Sequence, residues 1–229
     1  MAEKLNVLIM GPAGAGKGTM SQYIEKHYNI AHISTGDMFR SELKNNTPLG
    51  QEASDYMQKG LLVPDELTIR MVLNRLEQPD CQNGYLLDGF PRSLIQANVY
   101  DAKVIGTPKD ISMVINLTVD PEKLISRIEN RRICRECGAT YNLLTLAPKQ
   151  EGICDECGGE LYQRADDNRE SLQTRLDSYR EETEPVLEHY RKLNLVHDID
   201  ASQEIEKVWF DIERVIDDYL YEAAQKEGN

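Results

Sequence analysis

The chain predicts a parallel α/β sheet covered by helices on both faces, and three observations predict it. Short apolar runs without polar alternation recur along the chain, as in strands buried on both sides. Helical stretches separate these runs, giving the strand–helix alternation of a parallel sheet. The first run, Val7-Leu8-Ile9-Met10, opens directly into Gly11-Pro12-Ala13-Gly14-Ala15-Gly16-Lys17-Gly18-Thr19. Strands are expected at 7–10, 31–33, 85–87, 113–119 and 195–199. A helix is expected over 121–133, with Pro121 following Asp120 as a first-turn proline follows its cap. Near the C-terminus Ile205, Val208, Trp209, Ile212, Val215, Ile216 and Tyr219 recur at helical spacing, which marks a packing face. The tail over 222–229 is expected to fray.

A strand that runs through a glycine-rich turn into a helix makes a phosphate cradle. Glycines let the backbone curl so that its N–H groups point inward, and the helix N-terminus adds positive dipole. Lys17 supplies a mobile ammonium for terminal phosphates. Gly11, Ala13, Gly14, Ala15, Gly16, Lys17, Gly18 and Thr19 are therefore candidates for holding nucleotide phosphates.

Two segments interrupt the alternation. Residues 35–64 are polar and mostly helix-like, closed by Gly60 and Pro64. Residues 132–165 are rich in turn residues and hold Cys134, Cys137, Cys154 and Cys157 as two C-x2-C pairs, sixteen residues apart. That spacing fits a tetrathiolate zinc site of the structural kind, with no position left for water. A dithiol redox pair and iron in the same cage are the competing readings. Cys81 stands apart, as a small buried apolar residue would.

The chain has 229 residues, 28% charged and 40% hydrophobic, with a formal net charge of −13. These are the proportions of a globular protein, and the acidic total argues against a nucleic-acid binder. The opening apolar run is too short for a signal peptide or a membrane span. With metal-type cysteines, this points to a reducing cytoplasm. Polyanions must then meet locally concentrated cations.

The phosphate loop is followed by Ser34-Thr35-Gly36-Asp37-Met38-Phe39-Arg40, by Gly60-Leu61-Leu62-Val63-Pro64-Asp65 and by Asp88-Gly89-Phe90-Pro91-Arg92. Later come Arg127, Arg131-Arg132, Gln163-Arg164-Ala165-Asp166-Asp167 and Arg175. In that order these resemble the adenylate kinases, specifically the long form with a zinc-binding, four-cysteine lid. The likeness runs from about residue 5 to 216.

The resemblance implies a P-loop nucleoside monophosphate kinase fold, a central parallel sheet with helices on both faces and two inserted mobile segments. The core would comprise 1–34, 65–131 and 166–229, with 35–64 the monophosphate-binding insertion and 132–165 the zinc-containing lid. It implies reversible phosphoryl transfer from ATP to AMP, giving two ADP, with magnesium; UMP or CMP as acceptor is the alternative. Carried over residue by residue, Lys17, Arg92, Arg131, Arg164 and Arg175 surround the transferring group. Arg127 and Tyr141 join the loop on ATP. Thr35, Arg40, Leu62, Val63, Gly89, Arg92, Gln96, Arg164 and Arg175 hold AMP, although Thr35 has a plain alternative role as a helix cap. Asp88 holds magnesium through water, and Asp166 with Asp167 orients lid arginines. His27, His32, His189 and His197 lie outside these motifs. Asn142 stands where the family often has histidine, and 146–149 departs from a double-proline stretch. A monomer is expected, with no nucleic-acid or membrane partner.

Overall fold

Strand β1 (Leu5–Met10) is buried along its whole length, so it must sit mid-sheet, and it does. In a computed structural model, which describes residues 4–227, β1 pairs in parallel with β3 (Gly84–Asp88) on one side and β4 (Met113–Thr118) on the other. Strands β2 (Ala31–Ser34) and β8 (Val196–Asp200) complete the sheet in the order β2-β3-β1-β4-β8. All four pairings are parallel.

Alternate residues of β1 face opposite layers, as strand pleating requires. Leu8 and Met10 join a core with helices α4 (Asp65–Leu76), α5 (Leu94–Val104) and α8 (Glu184–Lys192). Val7 and Ile9 join a second core with α1 (Lys17–Tyr28) and α9 (Ile205–Glu227). The whole helical stripe from Ile205 to Tyr219 packs in that second core.

Two sequence expectations are corrected. The helix expected to reach 133 ends earlier, as α6 (Pro121–Glu129). Asn130 caps it by donating to the Ser126 carbonyl at 2.8 Å. The next residues form β5 (Arg131–Cys134), because pairing with β6 (Thr140–Asn142) and β7 (Leu161–Tyr162) into a three-stranded antiparallel sheet overrides local helical preference. The tail stays helical to Glu227, with Ala223 buried; residues 228–229 lie outside those described.

The segment 35–64 contains α2 (Thr35–Lys44) and α3 (Pro48–Gln58), closed on a small core of Phe39, Ala53, Val63 and Met71. Beyond the cysteine segment, α7 (Arg169–Ser178) widens into a π turn over Tyr179–Thr183 before α8. Pro185 follows that turn, where a residue without an N–H cannot continue the regular ladder.

Candidate active site

The phosphate loop forms where β1 ends. Gly11 has φ 136°, and a β-carbon there would lie 2.6 Å from the Leu117 carbonyl oxygen, so a side chain cannot be accommodated. Gly16 takes the left-handed N-cap position of α1, and no side chain caps that end. The first N–H groups of α1 are thus left for an anion. Lys17 curls back over the loop, donating to the carbonyls of Gly11 at 2.7 Å and Pro12 at 3.1 Å.

Around this ammonium the fold gathers the predicted cations. Lys17, Leu62, Gly89, Arg92 and Arg175 line one cleft with Gly11 and Ala13. Burial pulls the Lys17 pKa down to about 8, opposed by Asp88 and aided by Arg92, Arg175 and Arg131. Arg175 falls to about 10, and Arg92 and Arg164 are also lowered, with burial the leading cause in each. Desolvated cations crowded together describe a site built for an anion.

Three carboxylates pair with the arginines. Asp167 pairs with Arg131, whose Nε donates at 2.9 Å. Asp166 pairs with Arg175 at 3.2 Å. Asp37 accepts from Arg40 Nε at 3.1 Å and from Arg164 at 3.1 Å, tying α2 to the far end of the cysteine segment. Burial acts to raise the Asp37 pKa, and the two arginines outweigh it, leaving it below its ordinary value. Arg164 Nε is buried without a partner, a donor left over. The sequence paired Asp166 and Asp167 with arginines but gave Asp37 no such role.

Asp88 ends β3 beside the loop. Burial pushes its carboxyl up, but His32 and Lys17 outweigh that and hold it at about 2. His32 Nε2 lies 3.7 Å from Asp88 Oδ2, in ion-pair range and longer than a hydrogen bond. In sequence His32 stands outside the motifs of the site; parallel pairing of β2 with β3, Ser34 opposite Asp88, brings it in.

The remaining acceptor-side residues gather around Gly89. Thr35 Oγ1 donates to the Gly89 carbonyl at 2.8 Å. The helix cap is its neighbour Ser34, whose side chain accepts from the Asp37 N–H, so the alternative role of Thr35 as a cap falls away. Arg92 Nε also donates to the Gly89 carbonyl at 2.8 Å, and Thr183 of the π turn holds the Arg92 carbonyl at 2.9 Å. Gln96 is buried on α5, its amide oxygen accepting from the Arg92 N–H at 2.8 Å. The Val63 side chain is spent on the small core under α2 and α3.

On the other side, Arg127 lies between the loop and the turn after β8, donating to the Ala201 carbonyl at 2.7 Å. Tyr141, expected beside ATP, is buried with the cysteines. Its hydroxyl accepts from the Asp155 N–H at 2.8 Å and lies 3.4 Å from Cys154 Sγ. Asn142 anchors the turn after β6: its side chain takes the Leu144 and Thr145 N–H groups and donates to the Arg127 carbonyl at 3.0 Å. At the altered tip, Leu146 exchanges backbone bonds with Asn142 and the Lys149 N–H donates to Asp155 at 3.0 Å. Gln22 of α1 reaches the Gly138 carbonyl at 3.0 Å, joining the cysteine segment to the loop's helix.

The four sulfurs lie within 4.8 Å of one another. Closest are Cys134 to Cys157 at 3.4 Å and Cys137 to Cys154 at 3.6 Å, each pair contributed by both C-x2-C turns. Four sulfurs about 2.3 Å from a central ion would stand roughly 3.8 Å apart, so the cluster fits a tetrahedral metal. The crossed proximity also disfavours a redox couple within either C-x2-C turn. Gly138 and Gly158 complete the turns with φ 76° and 75°. Cys81 is buried beside Arg75 and Asp80, away from the cluster, as expected.

Among the described residues no helix is long and apolar enough to cross a membrane. The family model described as adenylate kinase matches residues 9–195. The chain is 51% identical to the adenylate kinase of Carboxydothermus hydrogenoformans over 212 residues, covering 93% of this chain and 99% of that one. It is 46% identical to the adenylate kinase of Archaeoglobus fulgidus, over 93% of this chain and 98% of that one. With the adenylate kinase of Desulforudis audaxviator the identity is 50%, over 91% and 97%. With its phosphate loop, its arginine shell and likeness over nearly its full length, the chain belongs to the adenylate kinase family of nucleoside monophosphate kinases.

Proposed function

We propose that this chain transfers the terminal phosphoryl group of ATP to AMP, reversibly, giving two ADP. The observation that carries this reading is the convergence of Lys17, Arg92, Arg131 and Arg175 on one another beside a helix N-terminus that no side chain caps. An AMP phosphate is already an anion, so its oxygen attacks the γ-phosphorus without surrendering a proton, and the bridging oxygen leaves with ADP. What the reaction needs is alignment and neutralisation of charge. Guanidiniums supply both through fixed, paired donors.

In this reading the loop residues Gly11 to Thr19, with Arg127, hold ATP. Thr35, Arg40, Leu62, Gly89, Arg92 and Gln96 hold AMP, with Val63 contributing backbone alone. Arg164 and Arg175 serve both phosphates. Tyr141 joins the ATP set through its backbone, its hydroxyl being held in the cysteine cluster. Asp88 would hold magnesium through water, and magnesium, when bound, draws charge from the phosphate oxygens. The residues 35–64 close over AMP and 132–165 over ATP against the core formed by the rest, excluding water as a competing acceptor. The Arg164–Asp37 and Gln22–Gly138 contacts support that arrangement.

The four cysteines hold structural zinc, which gives shape to a segment whose own core is only Cys134, Tyr141, Cys154 and Leu161. Paired cysteines of the metal-binding kind suit a reducing cytoplasm. The test is ADP formation from ATP with AMP, GMP, CMP and UMP in turn. AMP should lead by at least about tenfold in kcat/KM, the equivalent of ~1.4 kcal/mol of transition-state binding. A ranking led by UMP or CMP overturns the adenylate assignment.

A further inference from the structure

Gln96 reads the acceptor base in the function proposed above, and its side-chain amide is held at both ends. Its Oε1 accepts from the backbone N–H of Arg92 at 2.8 Å. Its Nε2 donates to Asp65 Oδ1 at 2.8 Å. The same Asp65 oxygen accepts from Ser93 Oγ at 2.9 Å, and Ser93 Oγ caps α5 by accepting from the Gln96 N–H at 3.1 Å. Asp65 is the first residue of α4, immediately after the segment 35–64.

A backbone N–H can only donate and a carboxylate can only accept, so the two neighbours impose one orientation on the amide. A half-turn of the amide would set its NH2 against the Arg92 N–H and its oxygen against the Asp65 carboxylate, leaving two mismatches in a partly buried site. After these bonds, Gln96 retains one N–H and one lone pair, in a fixed order. Adenine presents an acceptor at N1 and a donor at its 6-amino group. Hypoxanthine presents the reverse, a donor at N1 and an acceptor at the 6-oxygen. An amide that could turn over would accept either base.

We propose that Asp65 is a positioning residue for acceptor specificity: it locks the Gln96 amide in the orientation that matches adenine and rejects a 6-oxopurine. Asp65 touches neither phosphate nor base in this account and acts only through Gln96. The inference rests on the AMP site proposed above.

The test compares AMP with inosine monophosphate, which reverses the hydrogen-bonding edge at positions 1 and 6 with little change of shape. Asp65→Asn keeps the size and the acceptor for Ser93 but lets the side chain donate to a turned amide. The AMP-to-IMP ratio of kcat/KM should fall about tenfold. The change should come through KM for the two acceptors, with kcat for AMP within about threefold. In a Gln96→Ala background the same substitution should leave the ratio unmoved, which a merely structural role would not produce. If Asp65→Asn folds poorly by thermal melting, Asp65→Ser, which also restores a group able to donate, carries the same expectation. An unchanged ratio in a folded Asp65 variant overturns the inference, as does an equal change in the Gln96→Ala background. Should Gln96→Ala alone leave the ratio unchanged, Gln96 does not read the base and the inference falls with it. ADP formation from AMP would then still stand on the phosphate loop and the arginines.

Discussion

Replacing Lys17 by methionine should remove activity while leaving the folded protein no less stable, and the structure indicates by how much. Burial draws the ammonium from an ordinary pKa of 10.5 to about 8. Every tenfold change in a protonation equilibrium is about 1.36 kcal/mol, so holding this cation in place at pH 7 costs on the order of 3 kcal/mol. Methionine of similar length relieves that cost. Against this, the Gly11 carbonyl loses its donor while the Pro12 carbonyl keeps the Ala15 N–H, which costs about 1–3 kcal/mol if water does not replace it. The balance lies between about zero and a gain of ~2 kcal/mol, a rise of up to roughly 4–8 °C in the melting midpoint for a chain of this size. Turnover should fall at least about 10³-fold, the upper range for a single preorganised electrostatic donor. Circular dichroism melts of the nucleotide-free protein and a coupled ADP assay read the two effects separately. A variant that keeps kcat within tenfold, or one that melts well below wild type, would refute the view of Lys17 as a strained, functional cation.

The pH dependence follows from the same group. Its folded pKa is depressed, so Lys17 opposes folding below about pH 8, and that penalty fades as pH rises from 8 toward 10.5. Phosphate favours the ammonium, so ATP binding should take up close to one proton at pH 9 and almost none at pH 7; calorimetry in buffers of different ionisation enthalpy detects it, and buffer-independent heats at pH 9 would count against it. Replacing Cys134 and Cys154 together by serine should release one zinc per chain and lower the melting midpoint by about 5–10 °C, equivalent to ~2–3 kcal/mol. Activity in the cold should partly survive, and metal-free wild-type protein by elemental analysis would sink the zinc proposal. Gln96→Ala should erode AMP preference more than it changes the KM for ATP, which the monophosphate panel measures directly.

Features written in consecutive residues were legible before any fold was known. The phosphate loop is a local turn whose glycines are required by close backbone approach, and the cysteine turns need only four residues each. The three central strands were readable because burial on both faces leaves a largely apolar run, whereas the edge strands β2 and β8 are only partly buried and carry polar residues. What escaped reading depends on partners far along the chain. Asp37 meets Arg164 across 127 positions, and His32 meets Asp88 only through strand pairing. The Tyr141 hydroxyl, bound to the Asp155 N–H and lying 3.4 Å from Cys154 Sγ, meets partners 14 and 13 positions away that the spacing of the cysteines does not announce. Arg131 and Arg132 read as the end of a helix, since nothing local announces the antiparallel partners that make them a strand.

The double grip of Asp37 on Arg40 and Arg164 has a consequence for affinity. Phosphate arriving at these guanidiniums finds a carboxylate already in place and must evict it. The apparent dissociation constant is then the intrinsic one divided by the fraction of molecules in which Asp37 has let go. Because Asp37 is 58% exposed, its bridges are screened, and such pairs are worth about 0.2–1 kcal/mol. With two such pairs to break, the carboxylate weakens nucleotide binding by at most about thirtyfold. Salt loosens the competitor and the ligand together, so binding should depend on ionic strength less steeply than the number of arginines suggests. Asp37→Asn should bind AMP up to about thirtyfold more tightly at low salt and lose affinity faster as salt rises; equal salt slopes for the two proteins would show that Asp37 does not compete. In this way a fixed charge inside the cleft buffers nucleotide affinity against the ionic composition around it.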